Sequence, residues 1–547
     1  MSAQQNGHSV NGHALTADIL IIGGGFGGCY ALHKFRSEGY TVKLLEAGSD
    51  FGGVWHFNSY PGARVDSEVP LYQLSLPKAW RGFNFSERYP GHEELKRYFA
   101  HMVEALDLRR DAVFNARVNG AKWDAGREVW TVKTEGGLAA EGKYVVFATG
   151  TTIKAYIPDW AGLQDFKGPV IHPARWPEGL DLKGKRVGLI GQGASGLQIL
   201  QEIAKEDCQV TVFVRTPSTA IPMGQRQVSP VEAEETKNIY DALFEYAKER
   251  SASGYQWNTC KKPFHDTPPD ERQRLYEELW ARGGYAFLTS NFPELHFDKT
   301  ANAEVYAFWQ KKAAARIRNP EKREIMAPQK QSHWIGGRRP NLETKYFETI
   351  DQDNVELVSL RTRSIARFTD NAIISDGPGG EKTHEVDVVI VATGYDNVTG
   401  SLFDINIQDK NGVPLQEKWK DGISTWLGML IPDTPNALLV YGPQAPSGLA
   451  NAPPFLELQV DWLAELLEKH KESGVPIEVK GDKAKEYREM NLGIYKHLLF
   501  SETAGWWNGA NIPGKTNEPL FWVGGLQAWK QQCEAGLTDL SQYLVSS

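Results

Sequence analysis

Two glycine-rich turns, each following a short apolar run, constrain the fold of this chain more than any other feature. The first turn, Gly23-Gly-Gly-Phe-Gly-Gly28, follows Ala17-Asp-Ile-Leu-Ile-Ile22, and the second, Gly191-Gln-Gly-Ala-Ser-Gly196, follows Arg186-Val-Gly-Leu-Ile190. Both match G-x-G-x-x-G, whose glycines allow a tight turn and bring the backbone close to a pyrophosphate at the N-terminus of the next helix. The pattern predicts an α/β fold with two Rossmann-like dinucleotide-binding domains.

The residues after the second strand of each unit distinguish the two predicted sites. Glu46 ends the first of these strands, 18 positions past the last glycine, whereas Arg215 and Thr216 follow the other strand, with Arg215 19 positions past the last glycine. A carboxylate accepts hydrogen bonds from free ribose hydroxyls, while a guanidinium and a hydroxyl suit a 2′-phosphate. We therefore expect FAD at the first site and NADPH at the second. The residues expected to contact FAD here are Gly23, Gly25, Phe26, Gly28 and Glu46, and those expected to contact NADPH are Gly191, Gln192, Gly193, Ala194, Ser195, Gly196, Arg215 and Thr216.

Length and composition place the chain among multidomain globular proteins. Of its 547 residues, 41% are hydrophobic and 23% charged, as is usual for a globular protein. The length exceeds what one hydrophobic core usually supports, so two or three domains are expected. The net charge of -8 argues against a general affinity for nucleic acid or for an anionic membrane, because both need a basic face. We expect a monomer or a weak homo-oligomer, and the sequence does not decide between them.

Cysteine use and hydropathy bear on compartment and metal content. The four cysteines, Cys29, Cys208, Cys260 and Cys533, form no C-x-x-C pair, which argues against a disulfide framework, a metal site or a dithiol redox centre. The first fifteen residues are polar, and no apolar run reaches 18 residues, so neither a signal peptide nor a membrane span is expected. These features predict a cytoplasmic protein without a metal.

A repeated strand pattern suggests how the domains are arranged along the chain. The buried runs Tyr144–Gly150 and Asp387–Gly394 both end in Ala-Thr-Gly, and two such strands commonly mark the crossings between two dinucleotide domains. They bracket an inserted domain. The predicted division is a disordered tail at 1–15, an FAD-binding domain at 16–150 and 385–547, an NADP-binding domain at 151–225 and 331–384, and a helical insertion at 226–330.

The insertion is predicted from a change in composition. Charged, helix-forming segments at Val231–Glu249, Pro269–Ala281 and Ala301–Arg318 are separated by joints rich in glycine and proline. These helices could shape a substrate entrance or merely pack against the NADP domain, and the sequence does not decide between the two.

The segment between the two glycine-rich turns carries a third pattern. Phe166, Gly168, His172 and Trp176-Pro177 have the spacing F-x-G-x-x-x-H-x-x-x-W-P, and further prolines exclude a regular helix or a central strand. We expect a stiff crossing between domains. The pattern resembles the signature of Baeyer–Villiger monooxygenases, flavoproteins that insert one oxygen atom next to a carbonyl.

A second segment also resembles that family. It is Gly52-Gly-Val-Trp-His-Phe-Asn-Ser-Tyr-Pro-Gly-Ala-Arg-Val-Asp66. The resemblance implies that Val54 and Trp55 lie along the flavin and that Asp66 lies near the flavin ring, paired with the active-site arginine. Tyr72 matches a tyrosine that the family places near the flavin. From the residues alone, Asp66 could instead cap a turn, and Tyr72 could be a core aromatic.

Two later segments supply the remaining site residues. Trp334-Ile-Gly-Gly-Arg-Arg-Pro340 resembles the family's basic loop, which implies that Arg339 is the oxygenation arginine and that Arg338 replaces an NADP-contacting lysine. That departure keeps the charge but changes the geometry. Trp506–Lys515 resembles the family's mobile loop, in which the residue matching Trp506 folds over NADP. Arg339 could instead belong to a solvated turn, and Trp506 could be a core anchor.

The resemblance covers nearly the whole chain after residue 16 and implies a complete reaction. NADPH reduces FAD, reduced flavin reacts with O2 to give a C4a-peroxyflavin, and this species converts a ketone into an ester or lactone. Arg339 and Asp66 are the implied catalytic residues. An N- or S-oxygenating flavin monooxygenase is an alternative, although its signature usually has tyrosine in place of Trp176. A flavin-binding NADPH oxidase or sensor is another, which would not need Arg339 or Asp66, whereas a flavin disulfide reductase would require a C-x-x-C pair.

Overall fold

The computed structural model describes residues 14–545. The predicted tail at 1–15 therefore lies almost wholly outside the described residues. Its last residue, Leu15, already belongs to the strand Leu15–Ile22, which is two residues longer than the run predicted from Ala17. Leu15 pairs with Ala140, so the neighbouring strand extends the first strand beyond its apolar run.

An eight-stranded sheet contains the first glycine-rich turn. Along its main path the strands are Ile407–Gln408, Val118–Asp124, Val129–Thr134, Ala139–Phe147, Leu15–Ile22, Val42–Leu45 and Ala112–Val113, and Ala437–Leu439 also pairs with Ala139–Phe147. Because side chains alternate along a strand, Ile19 and Ile21 enter one core, while Leu20 and Ile22 enter a second core on the opposite face.

A five-stranded parallel sheet contains the second glycine-rich turn. Its order is Val355–Ser359, Gln209–Val214, Arg186–Ile190, Val388–Val391 and Val170–Ile171. The strand Val388–Val391 pairs with Arg186–Ile190, so it belongs to this second sheet although the predicted division at 385 assigned it to the first domain. An apolar run of this kind fits either buried sheet, and only pairing decides between them.

Smaller sheets and the principal helices complete the fold. A three-stranded antiparallel sheet comprises Ser364–Phe368, Ala372–Asp376 and Lys382–Glu385, and a two-stranded parallel sheet pairs Ile221–Pro222 with Leu342–Glu343. The longer helices outside residues 226–330 are Phe26–Ser37, His92–Ala105, Ala194–Ile203, Ala452–His470, Gly481–Tyr495 and Leu526–Thr538. Within residues 14–545, no helix combines the length and the apolar character needed to span a lipid bilayer.

Residues 226–330 are helical in the structure. Their α-helices are Pro230–Thr236, Tyr240–Glu249, Pro269–Arg282, Ala286–Thr289, Lys299–Ala314 and Pro320–Met326. The single helix expected at Val231–Glu249 is interrupted by one 3-10 turn at Lys237–Ile239. This helical segment also contacts the helix Ala452–His470. Lys248 forms an ion pair with the buried Glu457 of that helix at 2.5 Å.

The chain crosses between the two sheets twice, and the two crossings are hydrogen-bonded to each other. The Tyr156 N–H donates to the Gly394 carbonyl, and the Asp396 N–H donates to the Lys154 carbonyl, both at 2.9 Å. His172, from the signature segment, joins them: its Nδ1 accepts from the Ala174 N–H at 3.2 Å. Its Nε2 must then carry the proton, which it donates to the Gly394 carbonyl at 2.9 Å.

Candidate active site

A cavity of about 830 Å³ lies against the first glycine-rich turn. The turn follows the carboxyl end of Leu15–Ile22, the edge at which α/β sheets bind ligands. Ten of the predicted site residues line the cavity: Gly23, Gly25, Phe26, Glu46, Val54, Trp55, Asp66, Tyr72, Arg339 and Trp506. Residues from distant parts of the sequence therefore meet at one site.

The glycines of this turn have separate structural tasks. Gly23 has φ of +109°, and a Cβ there would meet the Ala148 carbonyl oxygen at 2.5 Å, so only glycine fits. Gly28 does not line the cavity; a Cβ on it would lie 1.8 Å from the Gly23 oxygen, and its absence lets the helix Phe26–Ser37 approach the turn. Gly25 faces Gly53, and together they leave a backbone-lined cradle that fits a pyrophosphate.

The predicted ribose acceptor, Glu46, is buried at the end of Val42–Leu45. Only 4% of its surface is exposed. Its carboxylate oxygens accept hydrogen bonds from the Gly24 N–H at 2.5 Å and the Gly48 N–H at 2.6 Å. Glu46 thus holds the turn in shape while lining the cavity, and each carboxylate oxygen keeps a second lone pair for a further donor.

Arg339 and Asp66 form a bidentate ion pair at the cavity wall. Arg339 Nε donates to Asp66 Oδ2, and Arg339 Nη2 donates to Asp66 Oδ1, both at 2.8 Å. The remaining terminal nitrogen, Nη1, lies 3.4 Å from the Gly448 carbonyl oxygen, at the long end of hydrogen bonding. The carboxylate thus occupies one edge of the guanidinium, and Nη1 is its least engaged nitrogen.

Tyr285, which no sequence pattern singled out, joins this pair. It comes from the helical segment, and its hydroxyl donates to Asp66 Oδ2 at 2.7 Å and accepts from Arg339 Nε at 2.8 Å. Its ring lies beneath the guanidinium, with 4.6 Å between the ring centroid and Arg339 Cζ. The helical segment therefore supplies part of the site, a possibility that its composition alone left undecided.

The ionisation states of the cluster follow from burial and charge. Burial alone would raise the pKa of Asp66, but the Arg339 charge and hydrogen bonds outweigh it and bring that pKa below its usual range. Burial raises the pKa of Tyr285 well above its ordinary value. For Arg339, burial is outweighed by the Asp66 charge, which raises the guanidinium pKa. The cluster therefore holds one anion, one cation and one neutral phenol.

Aromatic side chains line the wall next to the first turn. Trp55 Nε1 donates to the Tyr72 hydroxyl at 3.1 Å, and the Tyr72 ring packs edge-on against Phe26 at 5.4 Å between centroids. Tyr72 is thus both a packed aromatic and a cavity residue. These flat side chains form a rigid surface on which an aromatic ring system can stack.

The second glycine-rich turn lies outside this cavity. Gly191 has φ of +102°, and a Cβ on Gly196 would meet the Gly191 oxygen at 2.2 Å, so the turn packs as tightly as the first one. Gln192 is fixed by the Tyr346 hydroxyl, which donates to its Oε1 at 2.5 Å. Tyr60 reaches across from the second family segment to donate to Gln198 Oε1 at 2.9 Å. This bond links the segment after the first turn to the helix Ala194–Ile203 that follows the second turn.

Two cationic side chains lie close together beyond the second turn. Arg215 is exposed directly after Gln209–Val214, with the half-buried Thr216 beside it. Burial, and then the nearby Arg215 charge, lower the pKa of Arg338 to about 10. Arg338 Nε is buried and has no hydrogen-bond partner within residues 14–545. Two like charges and an unsatisfied donor fit a dianionic phosphate.

Trp506 and its neighbour Trp507 have different environments. Trp506 is half-buried and lines the cavity, whereas Trp507 is 4% exposed and lies in the core. The other end of the loop is fixed by Lys515, whose Nζ donates to Asp396 Oδ1 and to the Asn397 carbonyl, both at 2.8 Å. In this loop the core anchor is therefore Trp507 and not Trp506.

Comparison with known proteins agrees with this arrangement. Residues 16–232 match the family model described as flavin-binding monooxygenase-like. The chain is 38% identical over 514 residues to cyclopentanone 1,2-monooxygenase of Comamonas sp. (strain NCIMB 9872), covering 94% of this chain and 92% of that protein. It is 33% identical over 525 residues to a Baeyer–Villiger monooxygenase of Pseudooceanicola batsensis, covering 95% and 94%.

A solved structure extends the similarity to the whole fold. The crystal structure of OTEMO in complex with FAD and NADP superposes with a TM-score of 0.91 at 30% identity, covering 97% of this chain and 100% of that one. Three observations lead to one assignment. They are the two glycine-rich turns, the segments that resemble the Baeyer–Villiger signatures, and the sequence identity over nearly the whole length. The chain belongs to the Baeyer–Villiger monooxygenase family of flavin-binding monooxygenases.

Proposed function

We propose that this protein is an FAD- and NADPH-dependent Baeyer–Villiger monooxygenase. It converts a ketone, O2, NADPH and a proton into an ester or lactone, NADP+ and water. The observation that carries the proposal is the Asp66–Arg339 pair, which places a fixed guanidinium on the wall of the cavity that contains the first dinucleotide turn. Neither an NADPH oxidase nor a sensor needs such a group.

The first site fits FAD in its polar and aromatic parts. The turn at Gly23–Gly28 would hold the pyrophosphate through backbone donors, and Glu46 would accept from the ribose. Trp55 and Tyr72 offer flat surfaces for the ring system. When bound and reduced, FAD supplies the activation of O2 that no protein side chain can provide.

The second site fits NADPH. The turn at Gly191–Gly196 would hold the pyrophosphate, and Arg215 with Arg338 would hold the 2′-phosphate, since the latter has a buried, unsatisfied Nε. We propose that Trp506, on the cavity side of its loop, closes over the nicotinamide end of the coenzyme. Closure of this kind excludes water, which would otherwise compete with oxygen transfer.

Arg339 acts electrostatically in this proposal. Negative charge develops on oxygen when the ketone carbonyl is attacked, and a preorganised donor stabilises such charge without reorganising during the reaction. Asp66 fixes the guanidinium from its Nε and Nη2 edge, so Nη1 is left to donate towards the cavity. Since Arg339 keeps its charge, it also attracts an anionic oxygen before bond formation.

The two sheets and the helical segment suggest a division of the chain into domains, with one boundary moved from its predicted position. We propose an FAD domain around the eight-stranded sheet, an NADP domain around the five-stranded sheet, and a helical insertion between residues 226 and 330. The pairing of Val388–Val391 with the second sheet supports moving the return to the FAD domain from residue 385 to beyond Gly394.

Product analysis with labelled oxygen tests the function. The FAD-loaded enzyme is incubated with NADPH, isotopically labelled O2 and a panel of linear, cyclic and aryl ketones, alongside a tertiary amine and a sulfide. We expect an ester or lactone containing one labelled oxygen atom. Exclusive labelling of the amine or sulfide would instead identify an N- or S-oxygenating enzyme. NADPH consumption with hydrogen peroxide as the only product would identify an oxidase.

A further inference from the structure

We propose that Tyr285, supplied by the helical segment, is a positioning residue for oxygenation that locks Arg339 and Asp66 in their working geometry. This inference rests on the proposed function. The hydroxyl lies between the two charged groups, 2.7 Å from Asp66 Oδ2 and 2.8 Å from Arg339 Nε. Tyr285 is not among the cavity-lining residues, so it acts through these two side chains.

The cluster joins three distant parts of the chain. Asp66 ends the segment Gly52–Asp66, Arg339 belongs to the basic loop Trp334–Pro340, and Tyr285 immediately precedes the short helix Ala286–Thr289. The bidentate pair with Asp66 holds the guanidinium along one edge, and the side chain is further restrained only by partners at its other atoms and its face. A third partner, buried to 6% exposure, bonded to both charges and stacked beneath the guanidinium, supplies that restraint.

The position of the hydroxyl determines which arginine nitrogen is left for the reaction. Nε has two partners, Asp66 and Tyr285, and Nη2 has Asp66, whereas Nη1 makes the 3.4 Å contact with the Gly448 carbonyl. By donating to Asp66, the phenol also disperses carboxylate charge that would otherwise neutralise the guanidinium. More of the positive potential of Arg339 is then available at Nη1.

A neighbouring phenol does not take over this role. The Tyr255 ring packs against Tyr285 at 6.1 Å between centroids, and its hydroxyl pairs with Ser67 Oγ at 2.9 Å and interacts with Arg339, but it does not bond Asp66 within residues 14–545. The backbone carbonyl of Pro340, 3.2 Å from the Tyr285 hydroxyl, is a more distant acceptor that can only share the one proton donated to Asp66 Oδ2. Removing the Tyr285 hydroxyl therefore leaves Asp66 Oδ2 with one donor fewer and no replacement from Tyr255.

Tyr285→Phe removes only the hydroxyl and tests the proposal directly. In FAD-loaded enzyme we expect anaerobic flavin reduction by NADPH to stay within about twofold of wild type. Ester formation should fall about 10- to 100-fold, as for a lost hydrogen bond to a charged group, while hydrogen peroxide per NADPH rises. The matched control is Tyr306→Phe, whose hydroxyl donates to the Pro328 carbonyl within the same helical segment and away from the cluster.

A cycle with Asp66→Asn separates positioning from general stability. If the hydroxyl works through Asp66 and Arg339, Tyr285→Phe should have little further effect on ester yield in the Asp66→Asn background. An equal loss in both backgrounds would overturn the proposal, and so would a Tyr285→Phe enzyme that matches Tyr306→Phe in product per NADPH.

A second readout needs neither cofactor nor activity. The rate at which phenylglyoxal modifies Arg339 is measured in FAD-free protein by peptide mass spectrometry. We expect Tyr285→Phe to increase it several-fold relative to wild type and Tyr306→Phe, because the guanidinium is less restrained. An unchanged rate would contradict the positioning role. If wild type forms no ester from any ketone, the proposed function fails, whereas active wild type with an unaffected Tyr285→Phe contradicts this inference alone.

Discussion

Arg338 donates from Nη2 to the Ala504 carbonyl over 2.5 Å, and so ties the proposed 2′-phosphate site to the residue two positions before Trp506. A second tie lies next to it, from Trp334 Nε1 to Glu502 at 3.0 Å. The basic loop thus contacts the proposed coenzyme site and the Trp506 loop with the same few residues. A lysine at position 338 has a single nitrogen with which to serve both tasks.

Arg338→Ala should therefore affect both coenzyme affinity and the loop. We expect a higher KM for NADPH, and faster proteolysis within residues 504–515 in the presence of NADP+, because the Ala504 carbonyl loses its donor. Arg338→Lys should restore more of the affinity than of the protection. The exposed Arg274, which forms an ion pair with Asp270, provides the control variant Arg274→Ala. Equal proteolysis of Arg338→Ala and wild type would show that the tie does not restrain the loop.

Arg215→Ala should reduce the preference for NADPH over NADH. A charge-assisted contact with a phosphate contributes about 1.5–3 kcal/mol, so KM for NADPH should rise about 10- to 100-fold. The rate of hydride transfer at saturation should change little, because the contact is the same before and during transfer. NADH is the internal control, and its KM should stay constant. Wild-type enzyme that used both coenzymes equally would refute the assignment of Arg215.

Arg339→Ala should retain FAD and accept hydride from NADPH, yet form little ester. Loss of one preorganised donor to developing oxyanion charge is expected to slow oxygenation about 10²- to 10³-fold. Arg339→Lys should recover only part of the rate, since an ammonium lacks the planar fork that Asp66 holds. Stopped-flow flavin absorbance with parallel product quantification measures both half-reactions. Near wild-type ester formation by Arg339→Ala would show that the proposed active site is wrong.

The cluster should be insensitive to pH across the neutral range. Arg339 and its hydrogen bonds overcome the effect of burial and depress the pKa of Asp66, so the stability of the ion pair is present above the unfolded value of about 3.9. It is lost only as pH falls through the lower folded value. Tyr285, its pKa raised by burial, stays protonated into strongly alkaline solution. The fraction of NADPH converted to ester should be constant between about pH 5 and 9. A break in that range which disappears in Asp66→Asn would contradict these ionisation states.

Gly25→Val should abolish flavin binding. Its side chain would enter the cradle between Gly25 and Gly53, where the pyrophosphate is proposed to lie. Wild-type protein should be yellow, with FAD released on denaturation because no motif suggests a covalent link. Gly136→Val, in an exposed turn where a Cβ would make an ordinary contact with Thr134 Oγ1 at 3.9 Å, is the matched control. A Gly25→Val protein that keeps its flavin would show that the first turn is misassigned.

Local sequence patterns predicted the two turns and their strands because the glycine spacing and the apolar runs act over a few residues. The contact between Asp66 and Arg339 is predicted only by the family resemblance, because 273 positions separate the two residues in the sequence. Tyr285 follows two glycines in a segment without any motif, and its partner Asp66 is 219 positions away. Neither periodicity nor spacing carries information about such a contact. The sheet that receives Val388–Val391 is likewise decided by pairing, which apolar composition does not encode.

The two hydrogen-bonded crossings between the sheets limit how the halves of the molecule can move. Two backbone hydrogen bonds join the crossings, and His172 adds a third bond, to the Gly394 carbonyl. These bonds oppose separation of the two crossings. The two crossings are therefore held side by side and shift as one unit. His172 of the segment Phe166–Pro177 thus spans the two crossings through its ring, since it bonds the Ala174 N–H on one side and the Gly394 carbonyl on the other.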